Sequence, residues 1–221
     1  MRRFWRSNGL SVVLLALFVV TLVGQTFAGW RHDNEERRAH GRAEQPLAAY
    51  VAGPGFLEAT MENWESEFLQ MACYVVLTAA LFQKGSAESK DPDGDDEPTD
   101  REPDPTRAGA PGPVRKGGLA LALYKHSLSL TFGALFLATA ALHAVGGAGE
   151  YNAEQAEHGE PGRVTALQYL GTSRFWFESL QNWQSEFLSL AGMVLLSIWL
   201  REHGSPESKP VDAAHAETGS H

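Results

Sequence analysis

The chain has 221 residues, 43% hydrophobic and 20% charged, with a formal net charge of -9. The single cysteine, Cys73, excludes an intrachain disulfide framework, and the excess of acid, gathered in the connections, argues against a nucleic-acid partner. A mean hydropathy of -0.23 is low for a membrane protein, but it averages strongly apolar windows with very polar connections.

Met1-Arg2-Arg3 leads into an apolar segment over 10–30. About 20 such residues suffice for a helix to cross ~30 Å of hydrocarbon. The segment also fits a cleaved signal peptide with Thr26-Phe27-Ala28 at the cleavage site. Its counterpart at 129–147 lies deep inside the chain, where no signal peptide can be, and this favours an uncleaved span. A charged connection containing Pro46 leads to a second apolar segment over 63–82. Apolar residues then nearly vanish among Pro, Gly and Asp, so 91–117 reads as a disordered acidic cytoplasmic linker that cannot bury enough surface to offset its ordering entropy. Two more apolar segments follow, over 123–145 and 182–200, and 210–221 reads as a disordered tail.

The chain repeats itself. Residues 50–90 align without a gap on 169–209 at a constant offset of 119, both carrying N-W-x-S-E-F-L, an apolar run and G-S-x-E-S-K. Upstream, at an offset of 118, Asn34, Glu36, His40 and Gly41 meet Asn152, Glu154, His158 and Gly159. The expected architecture is an all-α membrane protein with four transmembrane helices, a tandem parallel repeat of two-helix units at 1–90 and 118–209. With cytoplasmic termini, the inside holds twice as many lysines and arginines as the outside, as the positive-inside rule requires. Trp5 and Trp199 then mark the inner boundary, and Trp30, Trp64, Trp176 and Trp183 the outer one.

On the second span Asn63, Glu67, Gln70, Tyr74 and Thr78 recur at steps of four and three, one stripe of a 3.6-period helix. The fourth span repeats it as Asn182, Glu186, Ser189, Met193 and Ser197. Polar groups are costly in lipid, so the stripes are expected to turn toward each other or toward neighbouring helices, where Gln25 and His143 occupy equivalent places. Interhelical hydrogen bonding alone accounts for such stripes. An ionisable side chain within a span is a functional candidate by default, which singles out Glu67 and Glu186 as a carboxylate pair able to share a proton or bind a cation, against the reading of two solvated interfacial acids.

In the outer connections Glu36-x-x-x-His40 and Glu154-x-x-x-His158 have a spacing that puts acid and imidazole on one helical face, a candidate divalent-metal set set against ordinary solvated charge. On the cytoplasmic side Ser86, Glu88 and Lys90, and again Ser205, Glu207 and Lys209, follow glycines suited to helix C-caps and suggest a docking surface for a protein or for lipid headgroups. No phosphate-binding loop, nucleophile elbow, haem attachment motif or zinc-protease helix is present, so neither an enzyme nor a cofactor is expected.

The two N-W-x-S-E-F motifs, the two G-S-x-E-S-K ends and the opening R-R-F-W-R-x-N-G-L resemble an uncharacterised family of bacterial integral membrane proteins, a domain of unknown function of the 6766 type. The resemblance implies a multi-pass protein of the bacterial plasma membrane and supplies no activity. The expected function is binding or passage of a small ion or solute between the paired stripes. The alternative is a structural or interaction module that assembles with another membrane or cytoplasmic protein.

Overall fold

The computed structural model describes residues 2–94, 99–157, 159 and 162–219, and among these there is no β-strand. The helices are α1 (Arg2–Ala39), α2 (Leu47–Val51), α3 (Pro54–Ala80), α4 (Gly112–Lys116), α5 (Gly118–Lys125), α6 (Ser127–Glu157), α7 (Ala166–Tyr169) and α8 (Ser173–Leu196). Two of them, α1 and α6, are long and apolar enough to cross a membrane. The two segments expected as the second and fourth spans do not reach that standard. Asn63, Glu65, Glu67 and Gln70 lower the hydropathy of α3, and α8 stops at Leu196 before the apolar window ends. The window over 123–145 is also divided, because His126 leaves helical geometry (φ -114°, ψ 12°) between α5 and α6.

The chain forms two compact units, with the divisions falling inside α3 and α6. The first joins the chain up to Met61 to Leu142–Gly171. Here the Asn34 side chain grips the backbone of Gln45, donating to its carbonyl (3.0 Å) and accepting from its N–H (2.7 Å). Asn152 holds Val164 in the same way, at 2.9 and 2.8 Å. A side-chain amide that satisfies both groups of one peptide fixes a returning loop without secondary structure. Beyond these loops Tyr50 covers Gly29 and Tyr169 covers Gly147, positions where a methyl group would collide with the ring. Tyr169 is fully buried and donates to Glu58 (3.2 Å). Thr165 and Gln168 form a capping box that starts α7.

The second unit joins Glu62–Ala141 to the chain from Thr172 on. Thr172 caps α8 by accepting from the N–H of Phe175 (3.3 Å). Aromatic contacts tie α6 to its neighbours, Phe132 against Phe68 of α3 and Phe136 edge-on against Trp183 of α8, with centroids 6.4 and 6.2 Å apart.

Candidate functional site

Within the second unit, α3 and α8 are joined by a line of polar contacts. Asn182 donates to Glu62 (2.5 Å) and Ser179 to Glu65 (3.1 Å). One stretch further along, Gln70 donates to the carbonyl of Glu186 (2.9 Å) and to the Ser189 hydroxyl (3.0 Å). Gln70 and Ser189 stand at the 119-residue offset of the aligned segments, and their side chains meet here. Tyr74 continues the line by donating to Glu88 (2.5 Å). The other stripe acids sit at the margin: Glu67 is exposed and Glu186 half-buried, with Glu67 as its charged neighbour. Asn63 is exposed, and its carbonyl accepts from Ser66 (2.8 Å).

The most deeply buried acid on this helix is a different one. Glu65 is 1% exposed, and Glu58 of the first unit is 7% exposed. With Glu62 they recur at i, i+4 and i+7 on α3, one helical stripe. Their counterparts in the second copy are Phe177, Gln181 and Gln184. A search for what the copies share passes over them. The signal that finds them is the difference between the copies, three acids on one helix and none at the matching places on the other. His143, fully buried on α6, and Gln25, exposed on α1, both belong to the first unit, whereas the stripe runs through the second.

At the ends of α3 and α8 the two G-S-x-E-S-K segments fold alike. Ser86 accepts from the N–H of Glu88 (3.1 Å) and Ser205 from that of Glu207 (3.2 Å). Ser89 accepts from the N–H of Gln83 (2.8 Å) and Ser208 from that of Glu202 (3.0 Å). Both of these second serines also donate to the carbonyl of the following lysine, at 2.9 and 3.0 Å. Ser89, Ser205 and Ser208 are thus spent on closing their loops, a local role that short hydroxyl side chains serve well, whereas the Ser86 hydroxyl also meets that of Ser197 (3.0 Å), which accepts from the N–H of Ala87 (3.2 Å). Gly85 and Gly204 do not cap helices, since α3 ends at Ala80 and α8 at Leu196; they turn the chain beyond the helix with φ of 87° and 83°.

The lysines differ. Lys209 is 2% exposed and donates to the carbonyls of Ala214 (3.2 Å), His215 (3.0 Å) and Glu217 (2.8 Å), gathering the following residues around one ammonium. Burial and nearby Arg201 hold its amine below the usual lysine value. Lys90 donates to the Ala79 carbonyl (3.0 Å) and pairs with Asp100 (3.0 Å). The two glutamates of the motif line one cavity of about 660 Å³ together with Tyr74, Lys90, Asp100 and Lys125. Burial raises the Glu88 carboxyl above its ordinary value; the bond from Tyr74 opposes this and the charge of Glu207 adds to it.

In the first unit, Glu36, His40 and Glu154 line a second cavity of about 280 Å³ with Asp33, Arg37 and Glu150, while His158 lies outside the described residues. Among the described residues no group of three or more His, Cys, Asp or Glu side chains can hold a metal ion. His40 falls just beyond the end of α1, and its ring nitrogen faces the Glu36 carbonyl (2.9 Å) instead of the Glu36 carboxylate.

The chain belongs to the family described as Domain of unknown function (DUF6766), whose model matches residues 1–220. No curated protein and no solved structure matches it.

Proposed function

We propose that this family member is a non-enzymatic, multi-pass protein of the bacterial plasma membrane that binds or passes a small ion or solute along the α3–α8 seam. In this reading α1, α3, α6 and α8 are the four spans of a tandem parallel repeat with cytoplasmic termini, and α3 and α8 tolerate their polar content by pairing it. The observation that carries the proposal is the succession of hydrogen-bonded polar side chains along that seam, from Glu62 and Asn182 through Gln70 and Ser189 to Tyr74 and Glu88. Polar groups within a membrane helix mark a pathway or an interhelical bond, and here they continue into a cavity. The membrane setting is supported by α1, whose most apolar window is 0% buried: a core helix of a soluble protein would be covered by its neighbours.

The test is aqueous accessibility in the native membrane. Single cysteines at positions 70, 74 and 189, in a Cys73→Ser background, are exposed to a membrane-impermeant thiol reagent. Labelling at all three supports a wet seam. Protection at all three, with labelling at position 40 from outside and at position 100 only after lysis, keeps the topology and sinks the solute reading in favour of an interaction module. Labelling of position 100 from outside overturns the topology itself.

A further inference from the structure

The duplication sets α1 beside α6 for comparison. Ser11, Leu14, Phe18, Thr21, Gln25 and Ala28 recur along α1 at alternating steps of three and four, the spacing of a helix–helix seam. At the offset of 118 they correspond to Ser129, Phe132, Phe136, Thr139, His143 and Gly146 of α6. On α6 that seam is packed. Phe132 and Phe136 meet Phe68 and Trp183, Thr139 and His143 are buried, and Gly146 lies so close to the backbone of Glu58 that a methyl group would collide. On α1 all six positions are exposed.

A second open seam lies on α8. Phe177, Gln181, Gln184, Leu188, Ala191 and Leu195 alternate by four and three, and all are exposed. Phe177 is the counterpart, at the offset of 119, of Glu58, the α3 residue on which Gly146 is seated. The face of α3 that receives α6 therefore has an uncovered equivalent on α8, just as the face of α6 has one on α1. Lipid alone is a poor cover for either. Thr21 turns its hydroxyl back onto the carbonyls of Leu17 and Phe18 (2.9 and 3.0 Å), whereas Gln25, Gln181 and Gln184 make no hydrogen bond among the described residues. An amide left unpaired in hydrocarbon is costly, and association with another helix supplies its partner.

We propose that α1 of one copy packs antiparallel on α8 of a second copy, giving a twofold dimer of this chain. The register comes from the contact already made once between the repeats. Gly146 meets Glu58 and Phe132 meets Phe68, so α6 runs antiparallel to α3. Shifted by the two offsets, the same register sets Ala28 against Phe177 and Leu14 beside Phe187, with Thr21 and Gln25 at the level of Gln181 and Gln184. A twofold dimer makes this contact twice. With Leu14, Phe177 and Leu188 at 55%, 68% and 70% exposure, the two contacts together cover on the order of 1,200 Å², the lower bound for a stable association. Ser179, Asn182 and Ser189, which bond to α3, lie on the other side of α8, so the dimer leaves the polar seam as it is. The inference goes beyond the solute reading and shares only its membrane setting.

The test is disulfide trapping of full-length chains in native membranes, in a Cys73→Ser background. One tagged chain carries Ala28→Cys and a differently tagged chain Phe177→Cys, and the two are co-expressed and oxidised. A disulfide joining the two tags is expected. Placing the first cysteine instead by Val23→Cys, on the opposite side of α1, should lower the yield about tenfold or more, because a disulfide needs Cα atoms within about 7 Å. Equal yields from positions 28 and 23, or no cross-link from either, overturn the proposal. So does a chain carrying both Ala28→Cys and Phe177→Cys that closes only on itself as a monomer, since the two seams would then meet within one chain. Gln25→Leu removes no hydrogen bond within the chain and should weaken association by at least about threefold, the worth of one interhelical hydrogen bond, in energy transfer between labelled copies diluted into lipid vesicles. Association unchanged by Gln25→Leu overturns the seam as the interface. A trapped dimer with a dry α3–α8 seam leaves this inference standing while the solute reading falls.

Discussion

A methyl group added at Gly146 and one added at Gly133 perturb the same helix, α6, with opposite consequences. At Gly146 an added Cβ lies 2.5 Å from the backbone nitrogen of Glu58, 2.9 Å from its Cα and 3.1 Å from the carbonyl carbon of Leu57. All three are backbone atoms of α3, which cannot swing aside as a side-chain end does. Non-bonded carbon contacts are optimal at about 3.5–4.0 Å, so the two backbones must separate by roughly 1 Å. Overpacking of this kind costs about 1–3 kcal/mol. At Gly133 nothing lies within 4 Å. The substitution there keeps only its helix-propensity gain of up to about 1 kcal/mol. Because both variants share that gain, the difference between Gly146→Ala and Gly133→Ala isolates the steric cost, about 1–3 kcal/mol, or roughly 2–12 °C in unfolding midpoint for a chain of this size. Thermal unfolding in mild detergent measures it. Equal shifts of the same sign in the two variants would refute the close approach of Gly146 to the start of α3.

Three further outcomes follow from the contacts described. In a double-mutant cycle, Gln70→Leu and Ser189→Ala couple by about 0.6 kcal/mol and no more than about 1.7, the range for interhelical hydrogen bonds in membranes; additive unfolding energies would remove the contact. Because burial and Glu207 raise the Glu88 carboxyl, this group binds a proton more tightly in the folded chain than in the unfolded one, so its contribution to stability is fully present below the ordinary carboxylate value of 4.5 and is lost as pH rises through the folded value of Glu88. Glu88→Gln should flatten that decline in a series of unfolding midpoints against pH, and an unchanged slope would count against the raised carboxyl. Lys209→Met should free the carbonyls of Ala214, His215 and Glu217, accelerating hydrogen exchange across 210–219, whereas exchange already at the free-chain rate in the wild type would show that the ammonium holds nothing there.

The apolar windows and the polar stripe were legible in the amino-acid order, because each is a property of nearby residues: a helix's length and its periodicity follow from local composition and a 3.6-residue repeat. The stripe's spacing left open whether it would turn toward the other stripe or toward a neighbouring helix, and the contact of Gln70 with Ser189 is a tertiary fact. Tertiary structure alone decided how the remaining groups are used. Spacing could not say that Glu65 would be covered while Glu67, two residues on, stays exposed, because that depends on how far α3 is rotated about its axis against α8. Nor could it distribute the work within G-S-x-E-S-K. Ser89, Ser205 and Ser208 bond within their own loops, but whether Ser86 also reaches Ser197, and whether a lysine gathers carbonyls, as Lys209 does, or pairs with an aspartate, as Lys90 does, depends on which segment the chain brings back across the helix ends. Glu88 and Glu207, beyond the helices, line one cavity that the stripe acids Glu67 and Glu186 do not reach. Periodicity records which residues share a face of one helix; which chemical groups face each other is set by the packing of separate elements, a long-range property that no local pattern contains.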